Sequence, residues 1–202
     1  MINNYTNKVK EIIFNHNSGW VFTHMDFNSL GNMATVERVL SRMVLSGEIK
    51  RIRRGIYYIP ENSRWGEVPP SQSNIIKALS RAMNTDFIPD GANALYQLGL
   101  TQQVPMKQVY LTDKQISTIS IGKTDIEFKK VSSKKLSGAK SGVSVYLSAL
   151  EYLGKEEAFQ ESVKSRVANT IKKSMLGKLE EASESRAVWV REVVKDITRR
   201  VS

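Results

Sequence analysis

An amphipathic helix followed at once by a basic β-hairpin is the feature that most constrains the fold of this chain. Apolar residues recur at helical spacing from Met33 to Val44, and the other side of this segment is polar. Gly47 ends the helix, and two short strand-like runs, 49–53 and 56–59, flank Arg54-Gly55. Since glycine readily adopts the positive φ of a tight turn, these runs predict a hairpin.

Three further elements precede this helix. Residues 4–16 have the spacing of a first helix, and residues 20–22 form a short apolar stretch typical of a strand. Thr23 predicts an N-cap, with Asp26 completing an approximate capping box for a second helix over 24–30. The third helix is predicted over 34–46. The order helix, strand, helix, helix, hairpin predicts a winged helix-turn-helix, whose third helix suits the major groove of DNA.

The polar side of the third helix and the hairpin carry the candidate DNA-contacting residues. Arginine commonly reads guanine, so Arg38 and Arg42 are candidates for base or phosphate contact. The alternative is a solvated helix face with Glu37 or Glu48 nearby. Asn32 and Thr35 either approach phosphates or bases, or only cap the helix. The predicted DNA-binding residues are Asn32, Thr35, Arg38, Ser41, Arg42, Lys50, Arg51, Arg53 and Arg54.

The hairpin holds the densest basic cluster of the chain. Side chains alternate along a strand, so Arg51 and Arg53 are expected on one face and Lys50 and Ile52 on the other. We therefore favour Arg51, Arg53 and Arg54 as DNA contacts. The alternative is an ordinary charged strand edge, which discourages aggregation.

Two other groups of residues allow a functional and a structural interpretation. One of Tyr57 and Tyr58 is expected in the core, and the other is free to meet a phosphate. Tyr96 is expected in the core as well. Five lysines could extend a DNA surface, bind RNA or be merely solvated: Lys129, Lys130, Lys134, Lys135 and Lys140.

The chain after Pro60 predicts a mixed α+β region. Residues 61–73 contain Pro69-Pro70 and several small polar residues, which is typical of a linker. Helices are predicted over 74–83 and 92–98. A strand is predicted over 109–112, and a hairpin over 117–131.

The last third of the chain predicts helices. Residues 134–142 are basic and rich in glycine and serine, which predicts a mobile loop. From Val143 onward three or four helices are expected, with breaks near Gly154, Gly177 and residues 183–185. The predicted fold class is α+β, with a winged-helix domain at 1–60, a linker at 61–73, an α+β domain at 74–142 and a helical region at 143–202.

The amino-acid composition limits the classes of function that this protein is expected to have. The net charge is +10, from 30 Lys and Arg against 20 Asp and Glu, which favours a polyanionic partner. The chain has no cysteine and two histidines, so we expect no enzyme activity, no metal site and no cofactor. No run of eighteen apolar residues occurs, so a cytoplasmic protein without membrane attachment is expected.

Two stretches resemble one protein family. Residues 39–60, which end in the basic hairpin, resemble the end of the winged helix in AbiEi-family antitoxins. Residues 91–105 (GANALYQLGLTQQVP) are similar to the start of the domain that follows it in that family. The resemblance covers roughly residues 5–131, and residues 143–202 are outside it.

The resemblance implies a function within the AbiE type IV toxin–antitoxin system. It implies repression of the protein's own operon through inverted repeats in the promoter, and antagonism of a nucleotidyltransferase-like toxin. Neutralisation in such a system does not require a stable complex with the toxin, so direct contact stays open. The alternative function is a protein-interaction module, since fold does not determine function. Its basic winged helix would dock an acidic partner or bind nucleic acid non-specifically.

Overall fold

The computed structural model describes residues 2–64, 66–122 and 124–201. These residues form two compact units. The first takes in the chain up to Thr85 together with Ile119–Thr124, and the second takes in Asp86–Thr118 and the chain from Asp125 onward. The fold is α+β, with an N-terminal winged helix-turn-helix, a mixed α+β region and a helical C-terminal region, as the sequence predicts.

Three helices of the first unit lie where the N-terminal sequence predicts them. They are α1 (Ile2–Phe14), a 3₁₀ helix (His24–Leu30) and α2 (Met33–Leu45). The predicted capping box is present, since the Thr23 hydroxyl accepts from the Met25 N–H at 3.2 Å and the Asp26 carboxylate accepts from the Thr23 N–H at 2.8 Å. These bonds satisfy N–H groups that a helix start leaves without a backbone partner.

The wing is part of a three-stranded antiparallel sheet. Its strands are β1 (Val21–Thr23), β2 (Lys50–Arg53) and β3 (Ile56–Tyr58), in the order β1-β3-β2. Tyr58 lies opposite both Val21 and Lys50. The strand after the turn is therefore the central one, and the basic strand β2 lies at an edge.

The core of the first unit lies between the helices and this sheet. Phe22, Phe27 and Leu40 are fully buried, and the Phe22 ring packs edge-on against Phe27 at 5.7 Å between centroids. Burial of each such side chain stabilises the fold by roughly 1.5–3 kcal/mol. Both Tyr57 and Tyr58 are buried. The expectation that one of the two tyrosines is available to a phosphate is wrong, because both belong to the central strand.

The segment predicted as a linker is structured. Residues 61–73 contain a second antiparallel hairpin, β4 (Glu61–Ser63) and β5 (Gly66–Val68), and the start of α3 (Gln72–Met83). Helix α3 packs against β1, and Arg81 joins it to the winged helix by an ion pair with Asp26 at 2.9 Å. The first unit thus runs to Thr85 instead of ending at residue 60. The polar composition of these residues reflects exposed strands, and α3 supplies apolar surface for the sheet.

A further strand joins the first unit from a later part of the sequence. Strand β8 (Ile119–Ile121) contacts β2. Strand β9 (Thr124–Lys130) follows it, so strands occur at both places where the sequence predicts the arms of a hairpin.

The second unit contains a small sheet. Strand β7 (Gln108–Thr112) pairs antiparallel with β6 (Ile88–Pro89) and parallel with β9. The sequence predicts β7, but β6 is only two residues long and ends in proline, so it lacks a strand pattern. The predicted helix over 92–98 is present as α4 (Gly91–Gln97).

Helix α4 packs closely on α5 (Ser144–Ala158). A Cβ at Gly91 would lie 2.2 Å from the Cβ of Tyr152, so the close approach requires glycine. The GANALYQ stretch therefore has a packing role. Tyr96 is exposed, and its predicted core position is wrong, because α4 presents Ala94 and Leu95 to the interior instead.

The predicted mobile loop at 134–142 has defined local structure. A 3₁₀ helix covers Ser133–Leu136, and the Leu136 side chain is buried. The Gly138 carbonyl accepts from the Val143 N–H at 3.1 Å and from the Ser141 hydroxyl at 3.0 Å. Backbone hydrogen bonds and one buried leucine therefore order a stretch whose composition predicts mobility.

The C-terminal region is helical, as predicted. After α5 come α6 (Glu161–Thr170), α7 (Leu176–Ser183) and α8 (Val188–Val201). Gly154 interrupts α5 with a φ of 79°, close to the first predicted break. Leu147, Leu150, Val193 and Ile197 are among the residues of their common core. Within the described ranges, no helix has both the length and the apolarity that a membrane crossing requires.

Candidate nucleic-acid interface

Helix α2 is the third helix of the predicted winged helix, and its first turn is capped by Asn32. The Asn32 side-chain oxygen accepts from the Thr35 N–H at 3.1 Å. This bond gives Asn32 the capping role that was one of its two interpretations. Its side-chain amide N–H groups still face solvent, since Asn32 is exposed.

The outer face of α2 brings together four of the predicted residues. A surface depression of about 650 Å³ is lined by Ala34, Thr35, Glu37, Arg38, Ser41 and Arg42. The opposite face of the helix, with Val36, Val39, Leu40 and Met43, is buried in the core. The apolar stripe in the sequence therefore predicted the buried face of the helix correctly. Hydroxyl, guanidinium and carboxylate groups share the face that remains accessible.

The two arginines of this face differ in their surroundings. Arg38 is exposed and has no ion pair or side-chain hydrogen bond with any residue that the structure describes. Arg42 Nη2 donates to the Thr6 hydroxyl of α1 at 3.4 Å. Glu48, named as a possible neighbour of these arginines, instead forms an ion pair with Lys10 at 2.6 Å. The hydrogen bond from Lys10 lowers the pKa of Glu48, followed by the bond from Ser46.

The wing departs from the alternation that the sequence predicts. Arg51 lies opposite Tyr57, but Arg53 lies opposite Ile56, with a register shift between the two arginines. Directly opposed residues point to the same face, and Tyr57 and Ile56 are neighbours on opposite faces. Arg51 and Arg53 therefore point to opposite faces, and the prediction that they share one is wrong. The reason is a β-bulge at Ile52, which adds one residue to β2.

Arg51 of the wing lies on the same side of the sheet as α2. Burial is the largest cause that raises the pKa of Tyr57, whose ring belongs to the core beside α2. The positive charges of Arg51 and Arg54 lower that pKa, and the negative charge of Glu37 raises it. Arg51 lies opposite Tyr57 in the sheet, so its side chain leaves the sheet on the face that packs against the core of α2.

Lys50 has a different environment on the other face of the wing. Its ammonium forms an ion pair with Glu67 of β5, and the Tyr58 hydroxyl donates to the same carboxylate. These hydrogen bonds, first from Lys50 and then from Tyr58, lower the pKa of Glu67. The charge of Lys50 is thus compensated within the protein. The sequence offered no signal for Glu67, which is seventeen residues away in a strand without an apolar pattern.

The five candidate lysines of the second unit differ in their ion pairs. Lys129 pairs with Asp90 at 2.7 Å, and Lys135 pairs with Glu151. Lys130, Lys134 and Lys140 are exposed. Their three interpretations, as a DNA surface, an RNA surface or solvated side chains, stay open.

These observations define a class of protein. The chain is an α+β protein with an N-terminal winged helix-turn-helix, in which α2 has an accessible polar face and Arg51 of the wing points to the α2 side of the sheet. It belongs to DUF6088, a family of unknown function whose model matches residues 8–179. The matched residues include parts of both compact units. No curated protein matches the chain.

Proposed function

We propose that the protein binds double-stranded DNA, with α2 in the major groove and the wing on the adjacent backbone. The observation that carries this proposal is that Arg38 and Arg42 line the accessible face of α2, while Arg51 of the wing lies opposite Tyr57, whose side chain belongs to the same core as α2. A helix with one buried and one accessible polar face has the size and chemistry to enter the major groove. Beside it, flexible cations can neutralise phosphates.

The two parts of this surface have separate roles in the proposal. Arg38, Ser41, Arg42 and Thr35 line the outer face of α2 and would read base edges or the nearest phosphates. Arg51 and Arg54 would hold the backbone and set the register of the helix. Lys50 contributes less because Glu67 already compensates its charge.

The biological role that we propose rests on the resemblance to AbiEi-family antitoxins. The protein would act in the cytoplasm and repress its own operon by binding inverted repeats in the promoter. It would also counteract a nucleotidyltransferase-like toxin, with or without direct contact. The second unit, with its helical region, has no role in the proposed DNA binding and is available for that second activity.

The test is a gel-shift titration of the full chain against the DNA just upstream of its gene. A scrambled duplex of equal length is the control, and both are titrated at two salt concentrations. Preference for the upstream DNA that survives the higher salt supports a sequence-specific repressor. Equal and salt-sensitive binding to both duplexes, or no binding, contradicts the proposal and supports the protein-interaction module.

Two matched variants assign the binding to the candidate interface. Arg38→Ala removes an exposed cation from α2, and Lys77→Ala removes an exposed cation from α3. We expect Arg38→Ala to reduce preference for the upstream DNA by roughly 1–3 kcal/mol if the guanidinium contacts a base. Lys77→Ala should leave the preference unchanged. Equal effects of the two substitutions would mean that net charge, and not α2, governs binding.

A further inference from the structure

A carboxylate lies on the basic face of α2. Glu37 is exposed and lines the depression on α2 together with Arg38 and Arg42. Its place is therefore on the face that the proposed docking turns toward the major groove. A negative charge there opposes the approach of phosphates, so its presence needs a reason.

The negative charge of Glu37 is not neutralised by any cation in the described part of the protein. Among the residues that the structure describes, Glu37 forms no ion pair and no side-chain hydrogen bond. Three other acidic residues of the same unit have cationic partners: Asp26 pairs with Arg81, Glu48 with Lys10, and Glu67 with Lys50. The Glu37 carboxylate keeps its acceptor capacity, although the same unit carries seven arginines.

The major groove offers such a carboxylate only a limited set of partners. A carboxylate accepts hydrogen bonds and donates none, so it cannot bind the acceptor atoms of guanine or thymine. Cytosine presents its N4 amino group as a donor. Adenine presents its N6 amino group next to the N7 acceptor, which repels a carboxylate. Cytosine is therefore the base that an acidic side chain on a groove-facing helix selects.

We infer that Glu37 is a specificity-determining residue that accepts a hydrogen bond from the N4 amino group of a cytosine in the major groove. This inference rests on the proposed DNA binding and adds the base pair that one side chain selects. The arginines supply attraction to any duplex, and Glu37 makes the attraction conditional on a C·G pair at one position. Charge repulsion then rejects sites without that donor.

The experiment is selection of bound duplexes from a randomised library by the full chain, followed by affinity measurement on the selected site. Three proteins are compared: wild type, Glu37→Gln and Glu11→Gln. Glu11 is an exposed glutamate on α1, so its substitution changes the net charge by the same amount on a helix other than α2. Each protein is titrated against the selected duplex and against its variants with the C·G pair replaced.

The expected result is a loss of preference in Glu37→Gln alone. Wild type and Glu11→Gln should select a C·G pair at one position and bind its replacements roughly tenfold more weakly. Glu37→Gln should bind the replacements about as well as the selected site, and should bind random duplex more tightly than wild type. If Glu37→Gln keeps the wild-type preference, the inference is overturned while DNA binding stands. If wild type selects no duplex, the proposed function fails as well.

Discussion

Two adjacent basic residues of the wing should differ in their effect on DNA binding. Arg51 points to the α2 side of the sheet and has no ion pair or side-chain hydrogen bond within the described parts of the chain. Lys50 points to the other face and pairs with Glu67. Arg51→Ala should therefore remove one phosphate contact, and Lys50→Ala should remove none, although both substitutions delete one positive charge from the same strand.

The magnitude follows from counterion release. Each phosphate contact contributes about 0.9 to the slope of log affinity against log salt, so Arg51→Ala should flatten that slope by about 0.9. Between 50 and 200 mM salt, wild type should lose about 3.5-fold more affinity than the variant. The slope for Lys50→Ala should equal that of wild type.

The assay is fluorescence anisotropy with a labelled duplex at four or more salt concentrations. A slope is compared because it counts phosphate contacts and depends little on the sequence of the duplex. If Lys50→Ala flattens the slope as much as Arg51→Ala does, the placement of the two side chains on opposite faces of β2 does not separate them functionally. The docking arrangement proposed for the wing would then be refuted.

Three further predictions concern stability. Gly91→Ala should lower the free energy of unfolding by about 1–3 kcal/mol, since its Cβ would lie 2.2 Å from a side chain of α5, whereas Gly177→Ala in the open part of α7 should raise it by up to about 1 kcal/mol. Glu151→Gln should cost about 1–3 kcal/mol, because Arg186 is buried and its Nη1 lies 3.7 Å from that carboxylate. Glu67 has a pKa lowered from 4.5, so its contribution to stability is present above pH 4.5 and is lost as the pH falls through its lower folded-state pKa. Glu67→Gln should therefore lose less stability in acid than wild type does.

Denaturant titration measures all of these changes. For the glycines, equal stability of the two alanine variants would contradict the close packing at Gly91. For Glu151→Gln, an unchanged midpoint would mean that Arg186 does not depend on the carboxylate. For Glu67, denaturant titrations from pH 3 to pH 7 are compared. If the stability of Glu67→Gln and of wild type depended on pH in the same way, protonation of Glu67 would not contribute to the loss of stability in acid.

Local interactions explain why much of the first unit could be predicted. The capping box at Thr23 and Asp26 joins residues three apart, and the apolar stripe of α2 repeats every three to four residues. Both signals are complete within one or two helical turns. For the same reason the four residues Thr35, Arg38, Ser41 and Arg42 could be assigned to one helix face, where the structure brings them together.

Long-range pairing explains what could not be predicted. The β-bulge that turns Arg53 away from Arg51 depends on how β2 pairs with β3. The contact of α3 with β1 extends the first unit to Thr85, and the pairing of Lys50 with Glu67 joins two separate hairpins. The bulge, the helix–strand contact and the ion pair produce no periodic pattern of apolar residues in the segments that form them.

The sequence by itself determined the winged helix-turn-helix, the order of its elements and the buried face of α2, because helix periodicity, caps and turn glycines act within a few residues. Only the tertiary structure decided which cations share the α2 side, which are compensated, and where Glu37 lies among them. Those outcomes depend on strand register and on contacts between segments far apart in the chain. Such contacts form only when the whole unit folds, so no local pattern encodes them.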